Sequence, residues 1–281
     1  MKNCKNCGAA APNSTSLHSF TCDFCGTKNV DEEYFKELAR NSDLGKSNRF
    51  MQLGLNSFES DEFIDAEKHF ESSVIENDKN PEVWIYLALC KANLIKASNF
   101  NKAIKGLNDA ISRASSIDDS SEVVTLGKIA LANCLVTKIQ IISDHYFETA
   151  DKTFVAYGGD KNAAIAATDD LISGLEKIQT LQSYQISADV QYTELLVSAL
   201  VKSKSYELKG VLSPELNGHI QNLMTTLLDI YDRNQEVVKL EISSWNENAT
   251  GVIKLINENR PNNKLLVPKE TAKGFLSKFF S

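Results

Sequence analysis

The sequence predicts a mainly α-helical chain, helical hairpins arranged as a superhelix or bundle, with a small β-containing knob at the N-terminus. Three observations predict it. Two Cys-x2-Cys pairs, Cys4/Cys7 and Cys22/Cys25, stand within the first 25 residues. A set of large and small apolar residues recurs after 34 residues in the segment that follows. From there to about residue 260, apolar residues recur at spacings of three and four between Gly- and Pro-marked breaks, as in helices packed on one face. The chain divides accordingly into 1–30, the cysteine knob; 31–120, helical hairpins; 121–260, a bundle of longer helices extending the scaffold; and 261–281, a connector and C-terminal amphipathic helix.

The cysteines carry the sharpest chemistry. Cys4-Lys5-Asn6-Cys7-Gly8 and Cys22-Asp23-Phe24-Cys25-Gly26 are separated by 14 residues. Two residues between thiolates let one tight turn present both sulfurs to the same ion, and Gly8 and Gly26 supply positive φ where backbone amides turn toward sulfur. Leu17-His18-Ser19-Phe20-Thr21 alternates as a short strand does. These residues resemble the zinc-ribbon family, two knuckles and a β-hairpin, over about 26 residues. The resemblance implies one structural Zn2+ held by Cys4, Cys7, Cys22 and Cys25. Four thiolates close the tetrahedron, whereas a catalytic zinc keeps an open position. A pair of disulfides, a redox dithiol and substitution of His18 for one ligand are the alternatives. Phe20 and Phe24 read as the knob's miniature core; with Lys2, Lys5 and Lys28 they would alternatively stack on bases and touch phosphates.

Composition bounds the rest. An apolar share of 42% and a charged share of 24% belong to a globular chain of 281 residues. The net charge of −7 is uneven: residues 31–80 carry thirteen acids against six bases, and the segment from Pro261 carries four Lys against Glu270. An acidic first half argues against a broad nucleic-acid groove. No apolar h-region follows Met1, and the longest apolar run, Val83 to Cys90, is eight residues. The expected location is cytoplasmic, with Cys90 and Cys134 as core residues.

Phe50, Leu53 and Gly54 recur as Trp84, Leu87 and Ala88; Ala66 and Phe70 recur as Ala103 and Leu107, now 37 apart, so a three-residue insertion falls around Lys96–Asn101. Ser73 and Ala110 correspond in the same way. These residues resemble the tetratricopeptide repeat over about residues 47–117. The resemblance implies antiparallel helix pairs, a small residue at their close approach, and a concave face presented to a protein partner. Trp84, Tyr86 and Lys91, with Phe50 and Ser57, are the expected edge of that face. Asp31-Glu32-Glu33-Tyr34-Phe35 opens an earlier helix. Beyond Ser121 a long helix is expected up to Gly158-Gly159. A second tract runs from Lys161 to about Glu207 with a break near Ser183, then a helix starts at Ser213-Pro214, and a last stripe runs from Val237 to Ile256.

In the tail, Ala272, Phe275, Leu276, Phe279 and Phe280 share one helical face and Lys269, Lys273 and Lys278 lie off it. This stripe is expected to dock on the body, on a partner's groove or on an anionic membrane surface. No phosphate loop, G-x-S-x-G or H-E-x-x-H motif occurs. The sequence thus reads as a non-enzymatic protein-protein interaction adaptor with a structural zinc site. A nucleic-acid-associated regulator using the ribbon and an enzyme with a site assembled from distant residues are the alternatives; the oligomeric state is open.

Overall fold

The computed structural model describes residues 3–9, 19–31, 45–184, 186, 189–208, 213–245, 249–262 and 264–265. Among them are eleven α-helices and one two-stranded sheet. Leu17, His18, the helix expected from Asp31 and the tail stripe with Phe275, Leu276, Phe279 and Phe280 lie outside the described residues. The chain forms two compact units, residues 1–138 with 184–187 and residues 139–183 with 188–281.

The first unit opens with β1 (Ser19–Thr21) and β2 (Lys28–Val30), antiparallel with Thr21 opposite Lys28. Four helices follow: α1 (Lys46–Glu59), α2 (Phe63–Glu76), α3 (Pro81–Asn93) and α4 (Phe100–Asp118), each packed on its neighbour in sequence. α3 begins where chemistry requires: the Asn80 side chain accepts from Glu82 N–H, Pro81 takes the first turn, and Lys91 sits in the last turn near the negative end of the dipole. Three residues join α1 to α2, and six join α3 to α4, including a 3-10 turn at Ala97–Asn99. The insertion therefore lies in the turn and leaves the helix pair intact.

Close packing is tightest where a small residue meets a ring. A Cβ built on Gly54 would meet three Phe70 ring atoms at 2.6–2.9 Å, so only glycine admits that ring. Phe70 stacks on Tyr86, and Phe58 meets Tyr86 edge-on, each at 5.3 Å between centroids. Ser47 and Ser73, both buried, bind each other 3.1 Å apart.

The second unit begins within α5 (Glu122–Ala156), a 35-residue helix whose first half belongs to the first unit. By length and composition α5 would cross a membrane, yet 56% of its most apolar stretch is buried in the protein. It ends as expected at Gly158 and Gly159, φ 90° and 71°, with Gly159 N–H bonded to the Phe154 carbonyl. Then come α6 (Lys161–Ala166), α7 (Thr168–Gln179), a 3-10 turn (Thr180–Ser183), α8 (Asp189–Leu208), α9 (Pro214–Arg233), α10 (Gln235–Ser244) and α11 (Thr250–Asn259).

Two expectations are corrected. The tract from Lys161 turns at Ala167 as well as near Ser183: Ala163, Ala164 and Ala167 are all buried, so the apolar pattern continues through the corner. The final stripe is two helices, α10 ending at Ser244 and α11 starting at Thr250. Ser213 does cap α9, accepting from Leu216 N–H at 3.3 Å. α8 is the hub, contacting α7, α9, α10 and α11. On it, buried Tyr206 donates to Asp151 Oδ1 at 3.1 Å, and Lys202 pairs with the other carboxylate oxygen.

Candidate metal centre

Each Cys-x2-Cys-Gly segment folds into the same turn. Gly8 N–H bonds to the Cys4 carbonyl at 2.9 Å and Gly26 N–H to the Cys22 carbonyl at 2.8 Å; Cys4 N–H reaches the Ala9 carbonyl and Cys22 N–H the Thr27 carbonyl. Gly8 and Gly26 have φ of 74° and 67°, the left-handed region that favours glycine. The second turn sits at the tip of the β1–β2 hairpin, so the hairpin carries one knuckle instead of joining the two, as β2 lies after Cys25.

The four sulfurs converge within 4.8 Å of one another, with Cys4 Sγ 3.6 Å from Cys25 and Cys7 Sγ 3.5 Å from Cys22. A tetrahedral ion with metal–sulfur bonds of about 2.3 Å needs sulfur–sulfur edges of about 3.8 Å. The cluster fits that geometry closely. All six cysteines are unbridged, and a disulfide would require sulfurs about 2.05 Å apart. The four cysteines are thus positioned to bind one metal ion, compatible with zinc.

The charges point the same way. The Cys7 backbone amide holds the Cys4 thiol down at about 6, against its burial and with help from the Asn29 side chain. The Thr27 hydroxyl and amide also lower Cys25. For Cys7, the Ala9 amide pulls down, but the neighbouring sulfurs and burial outweigh it and push the thiol up to about 12. Sulfurs this close do not all ionise by themselves; a cation at their centre removes the conflict.

Asn29 is the residue that sequence reasoning missed. Buried on β2, it accepts from Lys5 N–H at 2.7 Å through Oδ1, while its amide donates to Cys4 Sγ at 3.5 Å and to the Thr27 carbonyl at 2.9 Å. It ties the first knuckle to the hairpin that carries the second and orients a ligand from outside the sulfur set. Glu59 was missed too. The Ser19 hydroxyl donates to its carboxylate and Lys28 Nζ donates to its carbonyl at 2.6 Å, fixing the knob to the end of α1. Neither has a sequence signal, since both act across gaps of tens of residues.

Phe20 is buried against Cys4 and Cys22, whereas Phe24 is 82% exposed. The expected two-ring core is therefore one ring: Phe24 lies between Cys22 and Cys25 at the knuckle tip, turned to solvent.

The expected interaction residues are dispersed. Tyr86 is fully buried between Phe58 and Phe70 and is corrected from presented edge to core, because α3 is packed on nearly every side. Trp84, half-buried, donates its indole N–H to the Asp78 carbonyl at 2.9 Å. Lys91 pairs with Glu67 at 2.5 Å across α2 and α3. Phe50 and Ser57 are half-buried on α1.

No protein-family model, curated protein or solved structure matches this chain.

Proposed function

We propose that this chain is a cytoplasmic, non-enzymatic adaptor in which a zinc ribbon, closed by Cys4, Cys7, Cys22 and Cys25 around one structural Zn2+, fixes the start of a tetratricopeptide-like scaffold that binds a protein partner. The observation that carries the reading is the paired hairpin. α1–α2 and α3–α4 are successive packed pairs joined by turns of three and six residues; Gly54 meets Phe70 in the first, and the sequence sets Ala88 and Leu107 at the matching positions of the second. A surface built by repetition presents side chains for recognition without needing a reactive centre. Trp84 and Lys91, at the rim of α3, are the residues proposed to border the bound partner. Exposed Ile64 and Ile75 on α2, the helix whose Glu67 pairs with Lys91, add apolar surface.

The test is purification of the full chain from its native host, with metal and companions quantified. The adaptor reading expects one zinc per chain and a stoichiometric protein partner whose recovery falls with Lys91→Ala. Protein without zinc, or tight RNA binding with no stoichiometric protein, overturns it.

A second reading, nucleic-acid contact by the ribbon, is favoured by the uncovered Phe24 ring. It expects salt-dependent binding that Phe24→Ala abolishes while the zinc content stays unchanged.

A further inference from the structure

The two sides of α2 differ in kind. Ala66, Phe70 and Ser73 are buried toward the neighbouring helices, and Ile64, Lys68, Glu71 and Ile75 fall on the opposite side. Spacings of four, three and four residues keep these four within about 60° around the axis, in a stripe about 16 Å long. All four are exposed: Ile64 by 60%, Ile75 by 83%, and the Lys68 and Glu71 side chains by 67% and 54%. The same spacing makes the seam of an antiparallel coiled coil, with apolar residues at its ends and one charged layer at its middle.

The order of the four residues is self-complementary. Along the chain the stripe runs apolar, cation, anion, apolar; against the chain it runs apolar, anion, cation, apolar. A two-fold axis through its centre, with a second α2 antiparallel, sets Ile64 on the partner's Ile75 and Lys68 on the partner's Glu71, each contact occurring twice. The flanks agree. Asp65 comes opposite the partner's Ser72 and Glu67 opposite the partner's Val74, so no like charges face each other along the seam. Beyond its ends Asp61 comes opposite the partner's Asp78, and Arg113 already offsets Asp78.

Contacts within the chain compete only weakly for the central layer. Lys68 meets Asp65 at 2.8 Å, an exposed pair one turn apart, and Glu71 stands 3.7 Å from Lys91, which Glu67 holds at 2.5 Å. Exposed pairs of this kind contribute little, so both groups can turn to a facing partner. Three to four turns of helix from each copy make a contact at the small end of specific interfaces, below about 1,200 Å² in total. Such a pair is reversible and depends on concentration.

We propose that this stripe of α2 is the seam of an antiparallel, two-fold dimer, its occupant a second copy of this chain. The inference goes beyond the adaptor reading, in which Trp84 and Lys91 border another protein. Dimerisation is measured on the purified chain alone, so its failure leaves the test of that reading standing, and the reverse holds too.

The experiment is analytical ultracentrifugation of the full-length chain, in a non-thiol reductant, from about 1 µM to about 1 mM. The average mass is expected to climb from that of the monomer toward twice that value. Lys68→Glu and Glu71→Lys each put like charges across the central layer twice, and each weakens association at least about tenfold. Net charge alone would move these two variants in opposite directions. An equal mixture of the two regains association, because one chain then carries glutamate and the other lysine at both positions. Regain in the mixture also excludes misfolding of either variant as the cause of the loss. The double variant, which reverses the layer and keeps its symmetry, associates as the unaltered chain does. A chain that stays monomeric over the whole range overturns the proposal. Association retained by both single variants overturns it as well, and so does a mixture no more associated than its components.

Discussion

Gly54→Ala tests whether the first hairpin is held together by the contact of a missing side chain with a buried ring. The added methyl would sit 2.6, 2.7 and 2.9 Å from Phe70 Cε1, Cδ1 and Cζ. To reach ordinary contact the ring must retreat by about 0.8 Å, and it has nowhere to go. Phe70 and Tyr86 are both fully buried, they stack at 5.3 Å, and Tyr86 is also held edge-on by Phe58. Overpacking of this kind costs about 1–3 kcal/mol. Against it stands the better helix propensity of Ala over Gly, up to about 1 kcal/mol. The expected net loss is about 1–2 kcal/mol, opposite in sign to the same change on an exposed helix.

The second hairpin suggests the compensating change, because it carries Ala88 and Leu107 where the first carries Gly54 and Phe70. Phe70→Leu alone trims the ring and costs on the order of 1 kcal/mol. The double variant should fall well short of the sum, with a favourable coupling on the order of 1 kcal/mol. Urea unfolding followed by Trp84 fluorescence, in a Trp245→Phe background so that the signal comes from the first unit, measures all four corners of the cycle. A stabilised Gly54→Ala protein, or strictly additive effects, would refute the reasoning.

Asn29→Ala should lower zinc affinity about 10–100-fold without removing a ligand, since it deletes the donor to Cys4 Sγ and the clamp on Lys5 N–H. Competition with a chromophoric chelator reads this, and an unchanged affinity would strip Asn29 of the role. Alkaline pH should destabilise the second unit. Burial pushes the Tyr192 phenol up to about 12, and burial and the charge of Asp151 push Tyr206 up as well. A native pKa raised above the unfolded value of about 10 contributes stability that is fully present below pH ~10 and is lost as pH climbs toward the native value. At least two of the eight tyrosines should then ionise only together with loss of the helical circular dichroism signal. Reversible ionisation of all eight near the ordinary value, with the helices intact, would contradict this.

What was legible in the sequence was local. The metal ligands lie in two turns of four residues each, so spacing alone identifies them. The helix starts at Pro81 and Pro214 are written in Asn80 and Ser213, whose side chains cap them. The four helices from Lys46 to Asp118 were expected as hairpins, and each packs on the next. What escaped needed the third dimension. Tyr86 could not be separated from Trp84 by pattern, since Val83 and every residue from Ile85 to Cys90 are buried, and a helix covered on nearly all sides has no periodicity to read. Phe20 and Phe24 flank Cys22 symmetrically in sequence; only the hairpin decides that one turns under the sulfurs and the other outward.

The two ends of the first unit's N-terminal segment are coupled through Glu59. A segment of thirty residues has too little apolar surface to fold by burial alone, and among its described residues the core is Cys4, Phe20 and Cys22 with Ala9 packed beside them. Ion binding at the four cysteines would therefore supply what burial cannot in holding β1 against β2. Those strands carry Ser19 and Lys28, the groups that engage Glu59 at the last turn of α1, where a lysine donating to a terminal carbonyl opposes the helix dipole. Without an ion the strands would loosen, and with them the cap on α1. An ion at the four cysteines would thus bear on the helices that follow through the last turn of α1.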